Sequence, residues 1–79
     1  MSKDRKQTEG EYRVGVSFNP SRIQRVDEVK KMTAELIDYM LTLSPHRDLA
    51  GAREAAIAAT AYEDACMWAV KAITKQPRE

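Results

Sequence analysis

Apolar residues recur at helical spacing along the chain after residue 22. One seam, whose members step by three and four residues, comprises Val26, Val29, Thr33, Leu36, Met40 and Leu43. This spacing places the side chains on one face of a helix that packs against other helices. Asn19 supplies a capping side chain, Pro20 suits the first helical position, and Pro45 cannot continue the helix. The pattern therefore predicts a first helix over residues 20–43.

An alanine-rich segment follows after a short link. Alanine has the highest helix propensity, so this segment can be helical before it packs, and Gly51 is tolerable in its first turn. Asp48 is a suitable N-cap and Pro77 bars continuation. These signals predict a second helix over residues 48–75. Because the link has only about four residues, the two helices are expected to form an antiparallel hairpin.

The first 18 residues form an N-terminal arm ahead of the hairpin. The stretch from Tyr12 to Phe18 alternates loosely and fits either an extended arm or a short turn of helix. Residues 1–79 are predicted to form one all-α domain. The apolar residues cover more helix surface than one partner helix can bury, which predicts self-association into a symmetric oligomer. A monomer with the arm folded across the hairpin is the alternative.

Composition and charge argue against several classes of function. The 79 residues are 43% hydrophobic and 32% charged, and the net charge of +1 argues against binding polymeric nucleic acid by bulk charge. No apolar run approaches the length of a membrane span, and the charged N-terminus does not resemble a secretory signal. The single cysteine suits a reducing compartment. We therefore expect a cytoplasmic protein.

Catalytic signatures are lacking in the sequence. One histidine and one cysteine cannot build a multi-ligand zinc site, so no metal or cofactor is expected. His46 has no nucleophile at a motif spacing, and Cys66 suits a small packing residue in an alanine-rich helix. The available carboxylates, which include no Glu-x-x-His pair, are Glu35, Asp38, Glu63 and Asp64. The sequence predicts a protein that is not an enzyme.

Several residues of the first half favour binding instead. Tyr12, followed by Arg13, suits stacking on a nucleobase. Asn19 belongs to a segment that leads into a helix N-terminus, where free backbone amides attract phosphate. Lys31 can pair with acidic residues four positions away on either side, whereas Lys30 has none there and is freer to reach a ligand. Together these residues indicate an anionic ligand that carries aromatic rings.

Two parts of the chain resemble the phage anti-CBASS proteins of the second type, which are small cyclic-oligonucleotide sponges. The C-terminal helix of that family is matched by YEDACMWAVKAITK at residues 62–75, of which MWAVKA at residues 67–72 is the most specific part. The opening of its first long helix is matched by FNPS at 18–21, VDEVK at 26–30 and AELID at 34–38. The similarity extends over residues 12–75.

The resemblance implies a helical hairpin that assembles as a hexamer, a trimer of dimers. It implies a phage inhibitor of CBASS immunity that sequesters cyclic dinucleotides, such as cyclic GMP-AMP, in the host cytoplasm without cleaving them. Cyclic trinucleotides would bind in separate pockets. By this resemblance Tyr12 would stack on a base, and either Lys30 or Lys31 would meet a phosphate. Thr33 and Arg53 would serve the trinucleotide pocket.

Three other functions remain open at this point. A small helical oligomeric regulator would use the apolar seam as a groove for a protein partner. The second is a nucleic-acid binder that would read a polymer through a basic cluster in the first half of the chain. Asp27 and Glu28 inside that cluster argue against this reading; the cluster comprises Arg13, Arg22, Arg25, Lys30 and Lys31. A hydrolase of cyclic nucleotides would need metal ligands and a general base that the sequence does not offer.

Overall fold

Three helices make up the described part of the chain. The computed structural model describes residues 6–43, 46 and 48–78. Its helices are α1 (Glu9–Val14), α2 (Gln24–Leu43) and α3 (Ala52–Thr74). No strand occurs among the described residues, so the prediction of an all-α fold is confirmed for them. None of these helices is both long and apolar enough to cross a membrane.

The two long helices form an antiparallel hairpin. Val26, near the start of α2, lines a cavity with Thr74 at the end of α3. Met40, near the end of α2, lines another with Ala55 in the first turn of α3. The buried residues of the hairpin are Val26, Lys30, Thr33, Ala34, Ile37, Ala55, Ala59 and Cys66. Alanines on α3 therefore let the two helices approach closely around Ile37.

Part of the predicted seam faces away from this core. Leu36 and Leu43 belong to the seam that was predicted to pack against other helices, and both are exposed in the single chain. Within the chain, the packed face of α2 is centred on Ala34 and Ile37, because α3 contacts one flank of the helix and α1 contacts another. The distribution of Cα atoms is only 12 Å deep along its shortest axis, so the helices lie side by side in one layer.

The first long helix begins later than predicted. Asn19 does not cap it, because Arg22 takes a left-handed conformation with φ of 60° and interrupts any helix that starts at Pro20. Residues 19–22 form a separate turn in which the Arg22 amide donates to the Asn19 carbonyl. The helix starts at Gln24 and ends at Leu43, where the sequence placed its end.

The second long helix also begins later than predicted. Asp48 is not its N-cap, and Gly51 does not lie inside its first turn. Gly51 is the N-cap itself, with φ of 88°, a conformation that glycine adopts without steric cost. The helix runs from Ala52 to Thr74, one residue short of the predicted end. Residues 44, 45 and 47 of the predicted link lie outside the described residues.

The N-terminal arm contains a short helix. The Thr8 hydroxyl accepts a hydrogen bond from the Glu11 amide, and the Glu11 carboxylate accepts one from the Thr8 amide, which together form a capping box. Gly15 ends the helix in a left-handed conformation with φ of 64°. Of the two conformations that the sequence allowed for the arm, the helical one is present over α1. Residues 1–5 of the arm lie outside the described residues.

Candidate ligand site around the N-terminal helix

The short helix α1 is docked on α2 through a glycine. Gly10 is buried, and its amide donates a hydrogen bond of 2.7 Å to the Asp38 carboxylate. Further along the arm, the amide of Phe18 donates to the carbonyl of Gly15, which closes a turn after α1. Because Gly10 lies against the later part of α2 and Gly15 lies near Lys30, α1 runs antiparallel to α2.

Tyr12 lies on the outer side of this helix. Two residues along an α-helix turn the side chain by about 200°, so Tyr12 points away from the face that Gly10 presents to α2. Its side chain is accordingly exposed, with 73% of its surface accessible. The ring is therefore free to stack on a ligand or on another copy of the chain.

Lys30 is the cation that holds the arm against α2. Its relative accessibility is only 7%, and its Nζ donates to the carbonyl of Gly15 at 3.1 Å and to the carbonyl of Phe18. The ammonium also lies 5.4 Å from the centre of the Phe18 ring. The sequence favoured Lys30 as the lysine that is freer to reach a ligand, because it has no acidic residue four positions away. In the structure, backbone carbonyls of the arm accept hydrogen bonds from its ammonium and occupy two of its three donors.

Lys31 has the opposite environment. It is exposed, and no ion pair joins it to Asp27 or Glu35, although the sequence favoured both pairs. Asp27 instead accepts a hydrogen bond from the side chain of Asn19. Lys31, Ala34 and Asp38 follow each other at spacings of three and four residues, so Lys31 lies on the row of α2 that carries α1. An exposed cation therefore flanks the helix that carries Tyr12.

Two small cavities lie on either side of Lys30. One, of about 210 Å³, is lined by Arg13 from α1, by Lys30, and by residues of α3 that include Met67. The other, of about 280 Å³, lies between the turn after Phe18 and the end of α3. Pockets for drug-sized ligands are about 300–1,000 Å³. Beside Lys30, one chain therefore encloses only part of a ligand the size of a cyclic dinucleotide.

The side chain of Asn19 forms hydrogen bonds to the turn that contains it and to the start of α2. Its side-chain oxygen accepts from the Ser21 hydroxyl at 2.6 Å and from the Arg22 amide at 3.1 Å. Its side-chain nitrogen donates to the carbonyl of Ile23 at 2.9 Å and to Asp27 at 3.0 Å. Two donors and two acceptor positions are all that an amide side chain offers. These bonds account for Asn19 as a residue that fixes the turn before α2.

The two residues implied in trinucleotide binding lie at different levels of the hairpin. Thr33 is buried near the middle of α2, and its hydroxyl donates to the carbonyl of Val29 at 2.6 Å. Arg53 is exposed in the first turn of α3, beside Glu54. That turn lies at the end of the hairpin that Met40 occupies. The structure does not bring Thr33 and Arg53 together within one chain.

The residues that the sequence considered for catalysis have ordinary surroundings. Cys66 is buried in the hairpin, as expected of a packing residue, and His46 is exposed. The Asp38 carboxylate accepts a hydrogen bond from the Gly10 amide of α1, and the Glu63 carboxylate lies 3.9 Å from the Arg13 guanidinium. Over the described ranges, no group of three or more histidine, cysteine, aspartate or glutamate side chains is arranged to hold a metal ion.

Sequence reasoning missed Gly10, and it considered Asp38 only as an available carboxylate and not as the partner of Gly10. The segment TEGE at residues 8–11 carries the threonine and glutamate of a capping box, a signal that predicts the start of α1. No spacing rule connects Gly10 with Asp38, because they are 28 residues apart and meet only when the arm folds back.

Comparison with known proteins identifies the family. A family model for the hairpin domain of Acb2 and Tad1 matches residues 9–74, from the first residue of α1 to the last residue of α3. Comparisons with curated proteins and with solved structures gave no match. The chain therefore belongs to the Acb2/Tad1 hairpin-domain family, which confirms the resemblance to the anti-CBASS proteins that its sequence carries.

Proposed function

We propose that this protein is a phage inhibitor of bacterial CBASS immunity that binds cyclic oligonucleotide messengers and keeps them from their effectors. Membership of the Acb2/Tad1 family supports an anti-CBASS function of the sponge type. The proposed ligands are cyclic dinucleotides such as cyclic GMP-AMP, together with cyclic trinucleotides. The proposed compartment is the cytoplasm of the infected host. Binding without cleavage is part of the proposal.

The observation that carries the proposal is the exposure of an aromatic ring on α1 and of a cation on the row of α2 that carries α1. Tyr12 is largely accessible, and Lys31 lies on the row of α2 that carries α1. An aromatic ring stacks on bases of any identity, and an ammonium group attracts phosphate. Lys30 adds a second positive charge beneath the arm. Tyr12 and Lys31 are therefore the proposed ligand-contacting residues, with Lys30 as the residue that secures the arm.

A ligand held between copies of the chain fits these residues better than one held within a single chain. A cyclic dinucleotide carries two bases and two phosphates, so a twofold interface can present one ring and one cation to each half. The small cavities beside Lys30 leave part of such a ligand to be enclosed by a partner copy. The proposed assembly is a hexamer built as a trimer of dimers.

The affinity required of a sponge is within reach of these contacts. Sub-micromolar binding corresponds to more than about 8 kcal/mol. Two stacked bases contribute about 1–3 kcal/mol each. Charge-assisted hydrogen bonds to two phosphates and exclusion of water by the second copy supply the remainder.

Cyclic trinucleotides are proposed to occupy a second kind of pocket. Thr33 and Arg53 remain its candidate residues. Since they lie at different levels of one hairpin, a shared pocket requires Arg53 to come from another copy than Thr33. This arrangement makes trinucleotide binding dependent on assembly and independent of Tyr12.

The proposed function is tested by thermal denaturation followed by recovery of the ligand. We expect cyclic GMP-AMP to raise the melting temperature, because a ligand that binds only the folded state stabilises it. Chromatography of the heat-denatured mixture should return the cyclic dinucleotide intact. Recovery of linear nucleotide would identify an enzyme. An unchanged melting temperature with every cyclic di- and trinucleotide tested would contradict the proposal that the protein sequesters these messengers.

One observation favours the second candidate, a regulator that binds a protein. The outer side of α2 carries an exposed apolar stripe that comprises Met32, Leu36, Tyr39 and Leu43. In a sponge this stripe is covered by another copy of the chain. A protein that remains monomeric at micromolar concentration, and that no cyclic nucleotide stabilises, would favour a partner protein on this surface instead.

A further inference from the structure

The position of α1 depends on contacts outside the helix itself. It has six residues, whereas isolated helices shorter than about 12–15 residues are marginal in water. The capping box at Thr8 satisfies its first amides but does not attach it to the hairpin. Attachment comes from Gly10 on Asp38, from Arg13 near Glu63 and from the turn that Lys30 holds.

Gly10 makes the closest of these contacts. A Cβ atom at this position would lie 2.2 Å from the carbonyl oxygen of Ala34 and 2.9 Å from the Asp38 carboxylate. Ala34 presents backbone there, which cannot move aside as a flexible side chain would. Only a residue without a side chain therefore allows α1 to approach α2 at this distance.

Asp38 turns this close approach into a specific attachment. Its carboxylate accepts the Gly10 amide at 2.7 Å, in a partly buried position. A hydrogen bond to a charged acceptor is stronger than one between neutral groups. The bond also fixes the rotation of α1, because the face that carries Gly10 must point at Asp38. Tyr12 is then held on the opposite side.

We infer that Gly10 and Asp38 are positioning residues that dock α1 on α2 and thereby hold Tyr12 where it meets the ligand. The inference rests on the proposed function for the role of Tyr12, but the docking itself is independent of any ligand. When α1 undocks, the fraction of chains with Tyr12 in place falls. The apparent dissociation constant rises by the inverse of that fraction.

The test combines hydrogen exchange with calorimetry on Asp38→Ala and Gly10→Ala. In both variants we expect faster amide exchange at residues 9–14 and unchanged exchange along α3. The affinity for cyclic GMP-AMP should fall by about tenfold or more, which corresponds to the loss of a hydrogen bond to a charged acceptor. Asp38→Asn keeps an acceptor oxygen, so it should retain most of the amide protection at residues 9–14 and most of the affinity for cyclic GMP-AMP. Glu35→Ala, which removes an exposed carboxylate from the same helix, is the matched control.

The outcomes separate this inference from the proposed function. Unchanged exchange at residues 9–14 in both Asp38→Ala and Gly10→Ala would overturn the docking role. Undocked α1 with wild-type affinity would overturn the positioning of Tyr12. Tyr12→Ala should lose affinity while residues 9–14 stay protected. If the wild-type protein binds no cyclic nucleotide, the proposed function fails, and the exchange data still decide whether Gly10 and Asp38 dock the helix.

Discussion

Two adjacent lysines of α2 have different environments because of where the arm folds. Lys30 faces the arm, and its ammonium donates to the carbonyls of Gly15 and Phe18. Lys31 is turned by about 100° around the helix and stays exposed. The sequence compared the two by their acidic neighbours four residues away. It could not include the carbonyls of the arm, because these become partners only through the tertiary fold.

This difference predicts different effects of the same substitution. Lys31→Met should lower the affinity for cyclic GMP-AMP by about tenfold or more while leaving the melting temperature unchanged, because it removes an exposed charge. Lys30→Met should lower the free energy of unfolding by about 1–3 kcal/mol, because two carbonyls lose a charged donor. Calorimetry and thermal denaturation of both variants measure these effects.

Each lysine variant serves as the control for the other. A Lys31→Met protein that binds as well as the wild type would remove Lys31 from the site. A Lys30→Met protein that keeps its melting temperature but no longer binds cyclic GMP-AMP would show that Lys30, and not Lys31, contacts the phosphate.

At the scale of helices, the sequence predicted which elements exist better than where they begin. Alanine content and apolar spacing were sufficient for α2 and α3, because long periodic segments have few alternatives. Both starts were placed about four residues early. Asn19 and Asp48 have the composition of caps, but the chain turns through left-handed residues, Arg22 and Gly51, before each helix. Such conformations depend on the packing of the turns and are not visible in composition.

The apolar stripe of α2 predicts the effect of a charge on assembly. Its residues step by four, three and four, which is the spacing of a seam between helices. Leu36→Lys places a charge in the centre of this stripe. We expect it to reduce the mass of the assembly measured by light scattering. The hairpin should remain folded by circular dichroism, because Leu36 is already partly exposed.

The matched control introduces the same charge elsewhere on α2. Gln24→Lys lies outside the stripe on an exposed position and should keep the wild-type mass. An assembly of unchanged mass in Leu36→Lys would show that the stripe is not an interface between copies.

The whole molecule is a thin layer with apolar residues on open surfaces. Large apolar side chains are exposed on all three helices, including Tyr12, Tyr39 and Trp68. The layer is too shallow for these side chains to be covered within one chain. Sequence composition predicted this excess of apolar surface, and the family membership of the chain agrees with its hairpin. Which surfaces would meet in the proposed assembly, and which residues two copies would bring to one ligand, cannot be derived from the spacing of residues in one chain.

The stoichiometry of cyclic GMP-AMP binding, measured by isothermal titration calorimetry, tests the account most directly. A messenger held at a twofold interface, with one Tyr12 and one Lys31 from each chain, predicts one ligand for every two chains and a sub-micromolar dissociation constant. One ligand per chain would contradict a site shared between copies. The absence of binding heat with cyclic GMP-AMP at several temperatures, and with each other cyclic dinucleotide, would contradict the account as a whole.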